Sequence, residues 1–402
     1  MAPSRTVLIA GGGIGGLTAA LALAQRGFGA TVIEQAERLE ETGAGIQLSP
    51  NASRILIGLG LRERLASHVT APEELRVLNA RTGRLLARAP LGAIVYERYG
   101  APYWMIHRGD LQAVLLNAVA ANSDIALHLG ARVDEFSVHQ NGVTAAARSN
   151  MQAMEQRGIA LIGADGLWSA LRTRLGHRDL PRFARHTAWR ALIPAAAAPP
   201  ALREPAVNLW LGRNAHLVHY PVRAGSMINV VAIITDTWRE LDWSAPGARD
   251  ELLGRFPAAM WQASVRELLG AGERWHKWAL HDRAPLTHWG KGPVTLLGDA
   301  AHPMLPYLAQ GAAMAIEDAG VLADCLQHTP DDVDGALRRY ERQRQPRTAR
   351  TQRAARRNGR VYHMGGAESF VRSLALLALG GKRLLARYDW LFGWKSPGGT
   401  PT

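Results

Sequence analysis

Short apolar segments alternate with helical patterns near both ends of the chain, and a different pattern lies between them. Residues 7–10, 30–33 and 294–297 are short apolar runs of the kind found in the buried strands of a parallel sheet. Residues 207–234 instead alternate as the strands of a meander do. The order of these patterns predicts an α/β domain into which a β-sheet domain is inserted.

The C-terminal part of the chain is expected to be helical. A helical pattern covers residues 311–326, and the tail beyond residue 361 contains an apolar run at 374–379 and an aromatic group at 388–394. Apolar and aromatic residues at this density favour packing over disorder. The pattern therefore predicts a packed helical extension.

Composition favours a large globular protein in a reducing compartment. The chain has 402 residues, 47% of them hydrophobic, which is enough for one large α/β unit and a smaller domain. The single cysteine, Cys325, excludes an intramolecular disulfide framework and any cysteine-cluster metal site. We therefore expect a cytoplasmic protein.

The uncharged segment 6–24 resembles a signal peptide at first sight. It contains five glycines, which weaken a membrane-inserted helix but suit a strand, a tight turn and a helix in succession. No other uncharged stretch is long enough to span a bilayer. The sequence predicts no membrane association.

The formal net charge of +13 raises the question of nucleic-acid binding. Much of the excess lies in a helical stretch that we expect to be interrupted near Pro346. We favour a solvated helix face over a nucleic-acid arm, because no stacking or finger motif accompanies the charge. The arginines of this stretch are Arg338, Arg339, Arg342, Arg344, Arg347, Arg350, Arg353, Arg356, Arg357 and Arg360.

A glycine motif follows the first apolar run. Gly11, Gly13 and Gly16 have the G-x-G-x-x-G spacing between a predicted strand and helix, and Glu34 ends the second predicted strand. Such glycines let backbone N–H groups at a helix N-terminus approach a pyrophosphate, and the acid accepts hydrogen bonds from a ribose. The motif predicts an adenine dinucleotide site, the alternative being a glycine turn that merely packs.

A second motif follows the apolar run at 294–297. Asp299 comes directly after this strand, and Gln310 and Gly311 open the long predicted helix. An aspartate there can accept hydrogen bonds from polyol hydroxyls, and a helix N-terminus offers partial positive charge. From the residues alone, a flavin with its ribityl chain is only one ligand that would fit.

The second motif resembles that of the class A flavoprotein monooxygenases, in particular the salicylate hydroxylase, 3-hydroxybenzoate 6-hydroxylase and 6-hydroxynicotinate 3-monooxygenase group. Segments 43–52, 107–111, 163–166 and 388–394 are also similar to this group, in the same order. The resemblance implies that Asp299 binds the ribityl chain, that the turn at Gly311 faces the flavin, and that Arg108 and Asp165 contact FAD.

The resemblance also implies the fold: an α/β protein like p-hydroxybenzoate hydroxylase, with a Rossmann-like FAD-binding domain, an inserted β-sheet substrate domain and a C-terminal helical extension. We place the FAD-binding domain at residues 1–180 and 286–350. The substrate domain would then cover residues 181–285, and the extension residues 351–402.

The implied reaction is hydroxylation of a small aromatic or heteroaromatic acid, such as a salicylate or a hydroxybenzoate. It would use FAD, NADH or NADPH, and dioxygen, through a flavin hydroperoxide. No metal is expected, since the histidines lack ligand spacing. We expect a monomer or a homodimer.

Candidates for activating a substrate hydroxyl lie in the predicted strand 216–220. Side chains alternate in a strand, so His216 and Tyr220 share a face and His219 points away. We expect His216 and Tyr220 to be catalytic, the alternative being ordinary core residues. By resemblance, Gln47 and Tyr307 are further pocket candidates.

Three other polar residues are assigned structural roles, and two other functions stay open. His302 is expected to shape its loop, and Glu317 and Asp318 to be structural or solvent-facing. A nicotinamide-dependent dehydrogenase without flavin would share the first glycine motif but leaves Asp299 unexplained. A nucleic-acid-binding regulator would use the arginine-rich stretch.

Overall fold

The structure is a computed structural model that describes residues 5–39, 44–149, 153–238 and 244–397. Gly43, the first residue of segment 43–52, lies outside the described residues. Within those ranges the strands are β1 (Thr6–Ala10), β2 (Gly29–Ile33), β3 (Gly45–Leu48), β4 (Glu74–Asn79), β5 (Leu85–Pro90), β6 (Trp104–His107), β7 (Ile125–His128), β8 (Ala131–His139), β9 (Gly142–Ser149), β10 (Ala153–Gly158), β11 (Ala160–Gly163), β12 (Arg182–Pro194), β13 (Ala206–Leu211), β14 (Ala215–Val222), β15 (Met227–Thr235), β16 (Ser244–Gly247), β17 (Trp275–Asp282) and β18 (Val294–Leu296).

The helices of the described ranges are α1 (Ile14–Ala24), α2 (Pro50–Gly58), α3 (Arg62–Ala66), α4 (Gly92–Tyr99), α5 (Arg108–Ala120), α6 (Ala170–Arg174), α7 (Arg249–Arg255), α8 (Ala263–Gly270), α9 (Gly311–His328), α10 (Val333–Tyr362), α11 (Gly366–Leu379), α12 (Gly381–Ala386) and α13 (Asp389–Phe392). Single 3-10 turns lie at Ala195–Ala197, Pro200–Leu202, Gly298–Ala300 and Pro306–Leu308.

A parallel sheet forms the core of the first domain. Among the described residues its five strands run in the order β18–β11–β1–β2–β7, and all neighbours are parallel. Helices α1 and α9 pack against each other beside this sheet. Strand β18 follows β12–β17 in the chain. The strands of the parallel sheet therefore come from segments before and after most of the second sheet in sequence, as the sequence patterns predicted.

The second large sheet carries the predicted meander. Its eight strands within the described ranges run in the order β16–β17–β12–β15–β14–β13–β4–β5. Neighbours are antiparallel except β13 and β4, which are parallel. Strands β4 and β5 reach this sheet from within residues 1–180, so the chain enters it twice, and the exact domain boundaries stay a prediction. The two remaining sheets are small and antiparallel, with the orders β10–β9–β8 and β3–β6.

Helices α7 and α8 cover one face of the second sheet through a buried cluster that includes Phe256 and Trp261. The parallel-sheet domain and the C-terminal helices pack against the opposite face of the sheet. Successive side chains of a strand point to opposite faces, so the position of a residue in β14 determines the face on which its side chain lies.

Helix α10 is continuous through Pro346, so the predicted interruption is wrong. A proline inside a helix removes the hydrogen bond to the carbonyl four residues earlier. Here that carbonyl belongs to Arg342, and both residues are exposed, so water can take the place of the missing N–H. On the buried side, Arg344 and Arg347 tie the helix to Glu317 of α9.

The C-terminal extension packs as predicted. Phe392 of α13 makes edge contacts with the rings of Tyr99 and Tyr103, at centroid distances of 5.9 and 5.8 Å. Leu384 and Leu385 of α12 are buried in the adjoining clusters. The extension therefore covers the region where the two domains meet.

Candidate functional site

The first glycine motif forms a tight turn between β1 and α1. Gly11 has a φ of 113°, and a Cβ on it would lie 2.3 Å from the carbonyl oxygen of Ala164. A Cβ on Gly16 would lie 1.9 Å from the carbonyl oxygen of Gly11. Gly13, by contrast, faces open space directly before α1. The glycines thus leave the backbone N–H groups at the helix N-terminus open to a ligand, and this arrangement suits a pyrophosphate.

Glu34 is held beside this turn by two backbone hydrogen bonds. Its Oε2 accepts from the N–H of Gly12 at 2.5 Å, and its Oε1 accepts from the N–H of Ala36 at 2.8 Å. A carboxylate has further lone pairs. It can therefore accept ribose hydroxyls without leaving its position.

Asp165 follows β11 at the same edge of the parallel sheet. Its Oδ2 accepts from the N–H of Leu171 at 3.1 Å, whereas its Oδ1 is buried and has no partner within the described residues. Burial raises the pKa of this carboxyl. An unpaired buried acceptor is costly, so this side chain fits a ligand that donates a hydrogen bond.

Asp299 and Gly311 lie next to each other although a loop separates them in sequence. A Cβ on Gly311, the first residue of α9, would lie 4.0 Å from Asp299 Oδ1. The Asp299 side chain is exposed, yet desolvation by the surrounding protein raises its pKa, opposed by the charges of His302 and Arg108. The carboxyl is thus open to a ligand while neighbouring protein groups still affect its ionisation.

The two motifs belong to one site. A Cβ on Gly15 of α1 would lie 3.1 Å from Cβ of Ala315 of α9, so the N-termini of the two helices meet. Arg172 of α6 donates to the carbonyls of Ala300 and Ala301 at 3.1 and 3.2 Å, which ties the Asp165 segment to the Asp299 loop. This arrangement fits FAD, with acceptors for ribose and ribityl hydroxyls and two helix N-termini for its anionic groups.

Glu317 and Asp318 lie in a buried ion cluster beneath this loop, so the solvent-facing alternative is wrong. Arg344 contacts both carboxylates at 2.6 Å. His302 Nε2 lies 2.6 Å from Asp318 Oδ2, which also accepts from the N–H of Gly298. Burial opposes ionisation of Asp318, but His302 and Arg344 outweigh it and lower the pKa to about 2. The cluster anchors the Asp299 loop to α9 and α10.

His216 and Tyr220 lie on one face of β14 and His219 on the other, as the alternation predicted. His219 is buried on the far face, where its ring stacks on Trp210. His216 contacts Tyr307, with ring centroids 5.5 Å apart, and its Nδ1 lies 2.8 Å from Nε2 of His363. Burial lowers the pKa of His216 well below its ordinary value, and His363 and His186 add to this effect.

Tyr220 is buried against the edge of the FAD-binding domain. A Cβ on Gly45 of β3 would lie 2.8 Å from the Tyr220 ring. Gln47, two residues further, accepts a hydrogen bond from the hydroxyl of Tyr103 at 2.6 Å and interacts with the hydroxyl of Tyr220. Gln47 thus lies beside Tyr220. Tyr307 lies beside His216.

These two pairs form separate walls about 13 Å apart along β14, the rise of four residues in a strand. Val218 lies between them and is only half-buried. Sequence reasoning missed His363 and Arg190, which belong to the same region. No local motif marks either residue, because each reaches the site through the register of the sheet or the packing of α10.

Within the described residues, no group of three histidine, cysteine, aspartate or glutamate side chains is placed to hold a metal ion. None of the helices in that part of the chain is long and apolar enough to cross a membrane.

The fold and the paired motifs define an FAD-binding flavoprotein. The chain belongs to the FAD binding domain family, whose sequence profile matches residues 4–355. 3-Hydroxybenzoate 6-hydroxylase of Polaromonas naphthalenivorans (strain CJ2) is 38% identical over 388 residues, which cover 96% of each chain. 3-Amino-4-hydroxybenzoate 2-monooxygenase PtnB3 of Streptomyces platensis is 41% identical over 392 residues, covering 97% of this chain and 96% of that protein.

A solved structure, Klebsiella pneumoniae HpxO complexed with FAD and uric acid, superposes with a TM-score of 0.87 at 26% identity and covers 99% of both chains. The protein is therefore an FAD-dependent aromatic-ring hydroxylase that uses NADH or NADPH as co-substrate. The fold, cofactor and reaction class expected from the resemblance are confirmed. The dehydrogenase and nucleic-acid alternatives are not supported.

Proposed function

We propose that the protein hydroxylates a small aromatic acid that already carries a ring hydroxyl, of the hydroxybenzoate or hydroxynicotinate type. The observation that supports this most is the position of His216 and Tyr220 on either side of half-buried Val218, on the sheet face turned toward the FAD-binding domain. The names of the relatives point to the same substrate class.

In this proposal FAD is held by Gly11, Gly13 and Gly16 at its pyrophosphate and by Glu34 at its ribose. Asp299 takes the ribityl chain and Gly311 leaves room for the flavin. Asp165 contacts the cofactor at the edge of the parallel sheet, and Arg108 contacts it from the start of α5. Bound FAD supplies the redox and oxygen chemistry.

His216 would act as the base that accepts the proton of the substrate hydroxyl. Because its pKa is depressed, the imidazole is neutral at pH 7. In the tautomer with hydrogen on Nδ1, this atom donates to Nε2 of His363 and leaves Nε2 of His216 as the acceptor. Tyr220 would orient the same hydroxyl from the other wall, and Tyr307 and Gln47 would line the pocket.

Two further expectations go with this function. We propose a cytoplasmic enzyme, which the lone buried cysteine supports, and a monomer or homodimer that binds no nucleic acid. The ionic contacts of Arg344, Arg347 and Arg356 support the last point, because these side chains hold Glu317 and Asp282 rather than facing solvent as a free basic surface.

The deciding experiment is a panel of aromatic acids offered to the FAD-loaded protein with NADH or NADPH. We expect at least one hydroxylated acid to stimulate nicotinamide oxidation with little hydrogen peroxide, because coupled turnover inserts the oxygen into the ring. Benzoate, which lacks the hydroxyl, is the matched control. Stimulation by no acid of the panel, or stimulation that yields peroxide alone, would contradict the proposal.

A further inference from the structure

One row of side chains on the catalytic face of the second sheet is half-exposed. Arg190 of β12 pairs with Val231 of β15, which pairs with Val218 of β14, so the three side chains lie side by side on one face. Each of them is half-buried, whereas His216 and Tyr220, on either side of Val218, are buried. This row therefore stays in partial contact with solvent beside two buried positions.

Arg190 lacks an acidic partner among the residues that the structure describes. Its side chain makes no hydrogen bond or ion pair with any residue that the structure describes, and its Nε is buried without a partner. The guanidinium lies 5.1 Å from the centroid of the Trp278 ring. Burial and the charge of Arg108 together lower the pKa of Arg190 to about 10, with a smaller opposing contribution from Tyr220.

A guanidinium in this position loses part of its hydration without gaining an acidic partner. Removing part of a charged group from water is unfavourable unless an opposite charge compensates it. The buried Arg344 has two carboxylates as partners, at 2.6 Å each, whereas Arg190 has only an aromatic face. The missing partner of Arg190 is therefore an anion that arrives with a ligand.

We infer that Arg190 binds the carboxylate of the aromatic substrate and selects acids over uncharged phenols. The inference rests on the proposed function, because it places the substrate over this row of side chains. Strands β12 and β14 lie about 10 Å apart, with one strand between them. A ring lying over Val231 can thus direct a carboxylate to Arg190 and a hydroxyl toward His216.

The test compares two probes of nearly the same shape, the anion 3-hydroxybenzoate and the uncharged 3-hydroxybenzamide. Binding to the FAD-loaded protein is followed by the change in flavin absorbance, which needs no turnover. Losing a charge-assisted hydrogen bond in Arg190→Gln should raise the Kd for the benzoate about 10- to 100-fold. The Kd for the amide should change little, and Arg190→Lys should keep part of the preference.

Arg182→Gln is the matched control, because Arg182 lies on the same strand but is exposed, and it should bind both probes as the parent does. The inference is wrong if Arg190→Gln binds both probes like the parent. It is also wrong if this variant raises only the KM for NADH or NADPH, because Arg190 would then serve the co-substrate.

Thermal unfolding provides an independent check. Replacing a half-buried charge that has no acidic partner should leave Tm unchanged or higher in Arg190→Gln. A marked loss of stability would contradict the inference, since the fold itself would then supply the partner. If no aromatic acid is hydroxylated but benzoate binding still depends on Arg190, the proposed function fails and the carboxylate site stands.

Discussion

The Nδ1 atom of His216 lies 2.8 Å from Nε2 of His363, a residue 147 positions later in the chain. His363 follows the last turn of α10, and its ring also contacts that of His186, with centroids 4.7 Å apart. This contact ties the end of α10 to a side chain of β14 in the second sheet.

His363 is a positioning residue in this arrangement. His363→Leu removes the acceptor and leaves Nδ1 of His216 unpaired, so we expect kcat to fall about tenfold with little change in KM. His363→Gln can accept the same hydrogen bond through its amide oxygen and should recover part of the rate. Unchanged kcat and an unchanged pH profile in His363→Leu would remove His363 from this role.

Stability should fall as the pH drops from about 6.5. His216, His219 and His363 have pKa values lowered by burial, to about 3 for the latter two, whereas unfolded histidine titrates near 6.5. The unfolded chain therefore binds more protons in this window, and each fully buried histidine costs up to about 1.4 kcal/mol per pH unit. Urea unfolding between pH 7.5 and 5 measures this slope.

His219→Leu tests the assignment, because it removes one such histidine on the sheet face away from the site. The slope should then decrease by about one proton. A slope equal to that of the parent would show that His219 does not contribute.

Asp299→Ala should weaken FAD retention about tenfold, since a hydrogen-bond acceptor for the ribityl chain is lost. Equilibrium dialysis with flavin absorbance measures the Kd. Asp250→Ala, on the exposed side of α7, serves as the control. FAD affinity equal to that of the parent would argue against the proposed contact of Asp299.

Tyr220→Phe should hydroxylate more slowly or with poorer coupling while still binding FAD, because one contact to the substrate hydroxyl is removed. Product formed per nicotinamide oxidised, with peroxide measured in parallel, reports this. Undiminished coupling would exclude Tyr220 from the mechanism.

Arg344→Met should lower the free energy of unfolding by about 3–5 kcal/mol, because Glu317 and Asp318 would lose their shared buried partner. Arg353→Met, at an exposed position of the same helix, should have almost no effect. Denaturant unfolding of the two variants measures the difference. Equal midpoints would show that the cluster does not stabilise the fold.

Local patterns were sufficient to predict the glycine turn and its position beside Glu34. Gly11, Gly13, Gly16 and Glu34 lie within one strand–turn–helix–strand unit, so their spacing in sequence determines their spacing in space. Alternation in β14 likewise predicted that His216 and Tyr220 share a face. Pro346 misled the prediction, since its effect on the helix depends on whether the freed carbonyl reaches solvent.

The sequence by itself determined the α/β architecture and the glycine turn of a dinucleotide site, because periodicity and glycine spacing act over a few residues. Its resemblance to a known family identified the cofactor as FAD. Tertiary structure alone decided the partner of His216, the buried cluster of Arg344 and the row that contains Arg190. Each joins segments far apart in the chain, through strand register or helix packing. Such contacts follow from burying whole surfaces against each other, and no short stretch of sequence specifies them.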